Sequence, residues 1–263
     1  MNLRIIQWNV SFKSKSDEIA RFLLDAVGDH TVITLQEVLE PVHNKIMSLL
    51  KPDSSAYSLN HRVPGRFEGK NRKLGVATYV FGGLITDSSL VSRSVFPEGT
   101  LHTLIKFQDT DVSLLNFHSI TGCDYKKAKS SNFATLADFI YEENLDFFAC
   151  DANEPKVDSL NVDEIEFFDN KDKGKNAALI LGPFAMHNLK DTLKTHLINN
   201  NIEAKGSPLA TSHIVSKKYQ RRYDHIYHSS NWRVDSITHP YKDSIKATSD
   251  HSAVIGDFYL DNN

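Results

Sequence analysis

The chain opens on Leu3-Arg-Ile-Ile-Gln-Trp8, an apolar run that predicts a strand. From there short β-like runs alternate with segments of helical period. Ser16 can cap a helix whose first turn carries Asp17 and Glu18, both favourable at the positive end of the helix dipole. Ile19, Phe22, Leu23 and Ala26 fall on one face of it, and Gly28 is a plausible stop. Thr31 to Gln36 predicts a second strand, and Pro41 starts a helix that ends before Pro52. The middle third is β-rich, with strands expected near Tyr57–Arg62, Leu74–Phe81, Thr100–Phe107 and Val112–Phe117. A long amphipathic helix follows from about Asp124 to Tyr141, then a strand over Phe147–Cys150. Leu189, Leu193 and Leu197 place another helix between Asn188 and Asn200. Strands over Tyr223–Tyr227, Arg233–Ile237 and Ser252–Tyr259 close the chain.

This alternation argues for an α/β architecture, and a β-rich middle flanked by βα units suits two packed sheets with helices outside. With 263 residues and no linker, repeat or low-complexity tract, one domain is expected over 1–263. Hydrophobic residues make up 40% and charged residues 24%, enough apolar material for a sizeable core. The net charge is −3, so no global basic field draws the protein to nucleic acid, although a local basic strip would escape that count. Two cysteines, Cys123 and Cys150, form neither a disulfide framework nor a paired zinc motif, and Cys150 reads as a buried thiol. The N-terminal residues carry no apolar stretch of signal-peptide length, and no run approaches a membrane span. A cytoplasmic protein without membrane association is expected.

Chemistry enters at six places where polar groups end or follow an apolar run. They are Asn9 after RIIQW, Glu37 after TVITLQ, His118 after VSLLNF, Asp151 and Asn153 after DFFAC, Asp224 within RRYDHIYHS, and Asp250-His251 in SDHSAVIGDF. Each has an ordinary reading. Asn9 could be a turn residue, Glu37 a solvated carboxylate, His118 a satisfied core histidine, and Asp151-Ala-Asn153 an Asx turn. Asp224 could pair with Arg221 or Arg222, and Asp250-His251 could be a capped turn. The case for a site rests on all six occurring together, since sites in α/β folds form beyond the carboxyl ends of strands.

In their order these residues resemble the endonuclease/exonuclease/phosphatase superfamily, from QWNV through LQEV, NFHS, CDANEP and RRYDHIYHS to SDHSAVIGDF. The resemblance implies a deoxyribonuclease I-like four-layer sandwich of two packed, mostly antiparallel sheets flanked by helices. It also implies magnesium, with manganese a possible substitute, held by Glu37 with Asn9 and Asp250. His118, Asp151, Asn153, Asp224 and His251 would be the catalytic groups: Asp151 orienting or deprotonating water, Asn153 and His118 binding the phosphate, Asp224 holding a histidine, His251 at the scissile group. There are departures. Asp224-His225-Ile226 stands where a DYI- or DRI-like triplet is expected, and the Gly75-Val76-Ala77 run continues as Thr-Tyr-Val-Phe. The segment 156–220 reads as a subgroup-specific insertion, and the hallmarks of inositol polyphosphate 5-phosphatases are missing.

Three basic clusters could line a phosphate track: Arg66, Lys70, Arg72 and Lys73; Lys126, Lys127 and Lys129; Lys217, Lys218, Arg221 and Arg222. The third is favoured for substrate contact because it leads into Asp224. The leading expectation is therefore a magnesium-dependent nuclease that cleaves DNA or RNA by direct water attack. A phosphomonoesterase or phospholipase acting on a lipid or inositol head group is the alternative, and a non-catalytic binding module on the same fold a second. The sequence indicates no protein partner.

Overall fold

The computed structural model describes residues 1–121, 127–168, 176–204 and 206–261. Two six-stranded mixed sheets are packed face to face, each built around one parallel pair. In the first, β1 (Asn2–Asn9) lies parallel to β2 (Thr31–Val38). The antiparallel strands β4 (Gly75–Phe81) and β3 (Ser54–Tyr57) extend one side, and β14 (Val254–Leu260) and β13 (Trp232–Thr238) the other. In the second, β7 (Thr110–His118) lies parallel to β8 (Phe147–Asp151). It is flanked by β6 (Thr100–Phe107) and β5 (Leu84–Ser89), and beyond β8 by β12 (Asp224–His228) and β9 (Lys190–Asp191). A separate hairpin joins β10 (His213–Val215) to β11 (Tyr219–Arg221).

Strand periodicity sorts side chains into layers. On β1, Ile6 and Trp8 face outward onto the helices α1 (Ser16–Ala26) and α2 (Glu40–Leu50), which contribute Ile19, Leu23, Ile46 and Leu50 to that core. Leu3 and Ile5 face inward and meet Leu114, Phe147, Ile226 and Phe258 between the sheets. Phe117, Phe148 and Cys150 face the opposite outer layer, covered by Phe133, Leu136 and Ile140 of α3 (Lys127–Glu142). Cys150 is a buried free thiol whose burial pushes its pKa well up. The layers are thus helix, sheet, sheet, helix. No helix among the described residues is long and apolar enough to cross a membrane.

Several elements differ from the sequence-based expectations. The strand expected over Tyr57–Arg62 ends at Tyr57, and Ser58–His61 form a helical turn. The cause is Ser58, whose buried hydroxyl donates to the Glu98 carbonyl (2.6 Å) and accepts from the Val76 amide (2.9 Å). Ser16 does not cap α1; it is the first helical residue, after Lys15. The long helix begins no earlier than Lys127 among the described residues, and Cys123, Asp124 and Lys126 lie outside them. The helix expected over Asn188–Asn200 is confined to α4, Thr192–Asn199. Lys190–Asp191 is instead an edge strand, with the Asp191 carboxylate accepting from the Lys194 amide as an N-cap. The hairpin β10–β11 and the mostly polar edge strand β5 carried no usable period.

Candidate active site

The inward faces of four strands grade from apolar to polar toward one end of the sandwich. They read Leu3-Ile5-Gln7-Asn9 on β1, Val32-Thr34-Gln36 on β2, Val112-Leu114-Asn116-His118 on β7 and Phe147-Ala149-Asp151 on β8. These strands run in parallel pairs, so Asn9 registers beside Gln36 and His118 beside Asp151. Antiparallel β12 begins where the others end, which sets Asp224 opposite Asp151. The sheets are bridged at this end by hydrogen bonds. Gln7 donates to Asp224 across the gap and to Gln36 beside it in its own sheet (2.9 Å each); Gln36 donates across to Asn116 (2.8 Å), and Asn9 to Asp151 (2.8 Å).

Glu37 is out of phase with the inward face of β2. The pairing of β2 with β4 breaks between Leu35 and Val38, and Glu37 takes a left-handed backbone with φ of 58°. That conformation costs a non-glycine residue about 1–2 kcal/mol. It turns the carboxylate into the cleft, where Oε2 accepts from the Phe12 amide (3.2 Å) and Oε1 stands 3.9 Å from His118 Nε2. One carboxylate oxygen therefore lacks a close protein donor.

Asp151 is buried at the centre. Oδ1 accepts from the Asn153 amide (2.9 Å) and Oδ2 from Asn9, while His118 Nε2 and His251 Nδ1 lie 3.6 and 3.8 Å from Oδ2. Burial alone would raise the Asp151 carboxyl, but the two histidines and the two N–H donors outweigh it and hold it below the ordinary range. Asp224 Oδ2 accepts from His251 Nδ1 at 2.8 Å. For His251, burial opposes the charge; Asp224 and Asp151 reverse the balance and raise the imidazole to about 10. With Nδ1 turned to Asp224, Nε2 of His251 has no hydrogen-bond partner among the described residues, and the ring lines the cleft.

Glu37, His118, Asp151, Asn153 and His251 thus line a single cleft of about 240 Å³, together with Phe12, Asn71 and Phe96. Asn9 and Asp224 sit directly behind it. Asp250 is exposed; its carbonyl accepts from His213 Nδ1 (3.0 Å), and no hydrogen bond joins its carboxylate to the other site groups among the described residues. The donor set suits a hard divalent cation, being carboxylates without thiolate, with an under-partnered Glu37 oxygen facing the cleft. Asp151, Asp224 and His251 also converge closely enough to share an ion. The His251–Asp224 hydrogen bond and those Asp151 accepts from Asn9 and the Asn153 amide make them the less open part of the site, and Glu37 the more available ligand.

Three basic residues of the expected clusters are engaged by carboxylates. Arg222, only 2% exposed, is enclosed by Asp158 (2.7 and 2.9 Å) and Asp191 (3.1 and 2.8 Å). β11 ends at Arg221, and the following residue points into the layer beneath Asp224, so a run of four basic residues in sequence is not four in space. Lys129 is likewise buried and donates to the Asn153 carbonyl (2.8 Å) and Glu154 (2.7 Å), clamping the Asp151–Asn153 turn from behind. Arg72 is engaged by Glu98 (2.9 Å). Lys217 and Lys218 remain exposed at the hairpin tip, and Arg221 half-exposed near its base.

Sequence reasoning missed three site residues. His213 stacks on His251 with ring centroids 4.3 Å apart. Gln7 fixes Asp224, and Lys129 acts as a clamp rather than a surface cation. Only Gln7 left a signal, as the polar member of the Leu3-Ile5-Gln7-Asn9 alternation.

No family model and no curated relative matches the sequence. Solved structures do. A humanized D. rerio TDP2 matches with a TM-score of 0.67 at 14% identity, over 98% of this chain and 99% of that one. The human Nocturnin catalytic domain, with bound sulfate, matches at 0.64 and 15%, over 99% and 95%. An endonuclease/exonuclease/phosphatase from Bacteroides vulgatus matches at 0.64 and 16%, over 99% and 100%. The fold is thus the one these structures share, a deoxyribonuclease I-like sandwich of two sheets between helices.

Proposed function

We propose that the protein is a magnesium-dependent phosphodiesterase, a nuclease that hydrolyses DNA or RNA. One observation carries this: Glu37, His118, Asp151, Asn153 and His251 line one cleft, with Asp224 locked to His251 behind it. Glu37, with Asn9 behind it in support, would hold Mg2+ or Mn2+, which would offset charge on the phosphate oxygens; Asp250, exposed and outside the cleft lining, would reach the ion only by turning its side chain inward. The remaining roles belong to the chain. Asp151 stays ionised and orients the attacking water, accepting its hydrogen bond. Asn153, whose amide already donates to the Ser119 carbonyl (2.9 Å), has a second N–H for a phosphate oxygen. His118 donates to the same group. His251, held protonated by Asp224, stabilises the charge that develops on the scissile phosphate. Lys217, Lys218 and Arg221 contact the backbone of the polymer, and Arg222 is replaced in that role by none of its neighbours. The whole chain is read as one domain, with 156–220 an insertion that carries β9, β10 and most of β11's hairpin.

The test is cleavage of oligonucleotides and of bis(p-nitrophenyl) phosphate with magnesium, beside phosphomonoesters and phospholipids. Activity should vanish with chelator and return with magnesium or manganese. Glu37→Gln should fold normally and lose most turnover. The cleft's small volume favours one rival, a head-group phosphatase or phospholipase; efficient phosphomonoester or lipid hydrolysis without oligonucleotide cleavage would establish it. Turnover that persists in chelator would overturn the metal-dependent reading altogether.

A further inference from the structure

The lips of the cleft, in contrast to its floor, carry aromatic rings paired with cations that have no carboxylate partner. On the Glu37 side the loop before β4 is fixed to the cleft wall. Arg62 pairs with Glu68, and Arg72 with Glu98, a buried residue of that wall. Those pairs consume the loop's acidic groups. Arg66 and Lys70 are left without an ion pair among the described residues, and each lies against a phenyl ring: Arg66 5.5 Å from Phe67, Lys70 3.2 Å from Phe12. Phe67 is 93% exposed, an unusual cost for a phenyl ring on an anchored loop. The lip beside His251 repeats the pattern. The hairpin starts at His213, stacked on His251, and presents Tyr219, 47% exposed, between Lys218 (5.0 Å) and Arg221 (5.5 Å).

An exposed ring beside an unpaired cation recognises a ligand that offers both a flat π-face and a negative charge. Along a nucleic acid these alternate, but only an unpaired strand offers its base faces; in a duplex they are stacked on one another. We infer that Phe67 and Tyr219 are base-stacking platforms on either side of the catalytic cleft, which make the preferred substrate a single-stranded polynucleotide. Arg66, Lys218 and Arg221 then take the adjoining phosphates. This rests on the nuclease reading and adds to it the strand form and the residues that select it. An anionic membrane would also suit a basic aromatic patch, but the anchored loop meets the cleft at Phe12 and Glu98 and the hairpin meets it at His251, which fits a strand running from one to the other.

The experiment measures binding of the full chain, with magnesium, to a labelled phosphorothioate oligonucleotide and to a hairpin duplex of the same sequence. Phe67→Ala and Tyr219→Ala should each weaken single-strand binding roughly tenfold while changing duplex binding far less. Phe67→Trp should restore it. Equal losses on strand and duplex, or no loss on either, would overturn the inference. So would a wild-type protein that binds neither, or Phe67→Ala abolishing sedimentation with phosphatidylcholine/phosphatidylserine vesicles while leaving oligonucleotide binding intact. The phosphodiesterase reading is judged separately, by chelator and Glu37→Gln on the small phosphodiester, so either idea can fail alone.

Discussion

The floor of the cleft and its lips are built by opposite rules. On the floor the charges are mated, the open oxygen of Glu37 excepted: Asp224 to His251, Asp151 to Asn9 and the Asn153 amide, Lys129 to Glu154. On the lips, Arg66, Lys70, Lys217 and Lys218 carry no ion pair among the described residues, and the rings of Phe67 and Tyr219 are exposed. Buried groups that satisfy one another hold a fixed geometry before any substrate arrives, which is what stabilising a developing charge requires. Exposed groups keep their freedom and act by attraction, which suits a long, variable ligand. Damage to the two regions should therefore be felt in different quantities, turnover and stability for the floor, salt-dependent affinity for the lips.

The largest separation is expected from Asp224→Asn. It keeps an acceptor for Gln7 but removes the charge that holds His251 protonated, so kcat should fall by about 10²–10⁴ with polymer binding intact. An unchanged kcat would mean that the Asp224–His251 pair is structural. Next comes Lys129→Met, which takes the cation from the buried Glu154 carboxylate while leaving it the Phe168 amide, and should destabilise the fold by roughly 3–5 kcal/mol in urea titration. Combining it with Glu154→Gln should recover much of that loss; if it does not, the clamp is not acting as a charge pair.

Acid should weaken the floor's surroundings before it affects the lips. Burial pulls His228 down to about 4, with the Lys190 charge adding to it. A depressed histidine contributes stability that is whole above its unfolded value of ~6.5 and is lost as pH falls toward its folded value, up to ~1–3 kcal/mol here. Asp158 and Asp191, both held low beside Arg222 against the cost of their burial, act in the same direction at still lower pH. The melting temperature should therefore drop between pH 7 and pH 5, and His228→Gln should flatten that limb. A profile indifferent to this substitution would remove His228 from the account. The smallest effect on stability belongs to the lips. Replacing Lys217, Lys218 and Arg221 with alanine should change unfolding by about 0.5 kcal/mol or less. Yet it should flatten the salt dependence of oligonucleotide binding by about one unit of slope per lost phosphate contact. An unaltered slope would return the hairpin tip to an ordinary solvated turn.

Most of the fold was legible because its inner strands carry strong period-2 or continuous apolar signals: β6 coincides with the expected Thr100–Phe107, and β1, β2, β7 and β8 shift by only a residue or two at their ends. What was not legible is what tertiary contacts decide. Ser58 turns a strand into a helix by bonding to Glu98, which is 40 residues away. The floor of the site could be sought because each polar residue ends an apolar run, a local event. Its second rank could not: Lys129 and Arg222 look like surface cations until a distant carboxylate encloses them. Nor does the sequence reveal that β1-α1-β2 and β7-α3-β8 are parallel units of the same plan, since the plan lives in hydrogen-bonding direction and not in residue identity.

The grading of the inward faces, from Leu3 to Asn9 and from Phe147 to Asp151, gives the sandwich a mechanical polarity. At one end the sheets are joined by dispersion and water exclusion, at the other by directional bonds that water can replace one at a time. Thermal breathing should then pivot on the Phe147–Phe258 end, and amides near Asn9 and Asp151 should exchange with solvent hydrogen ahead of those near Leu3 and Phe147.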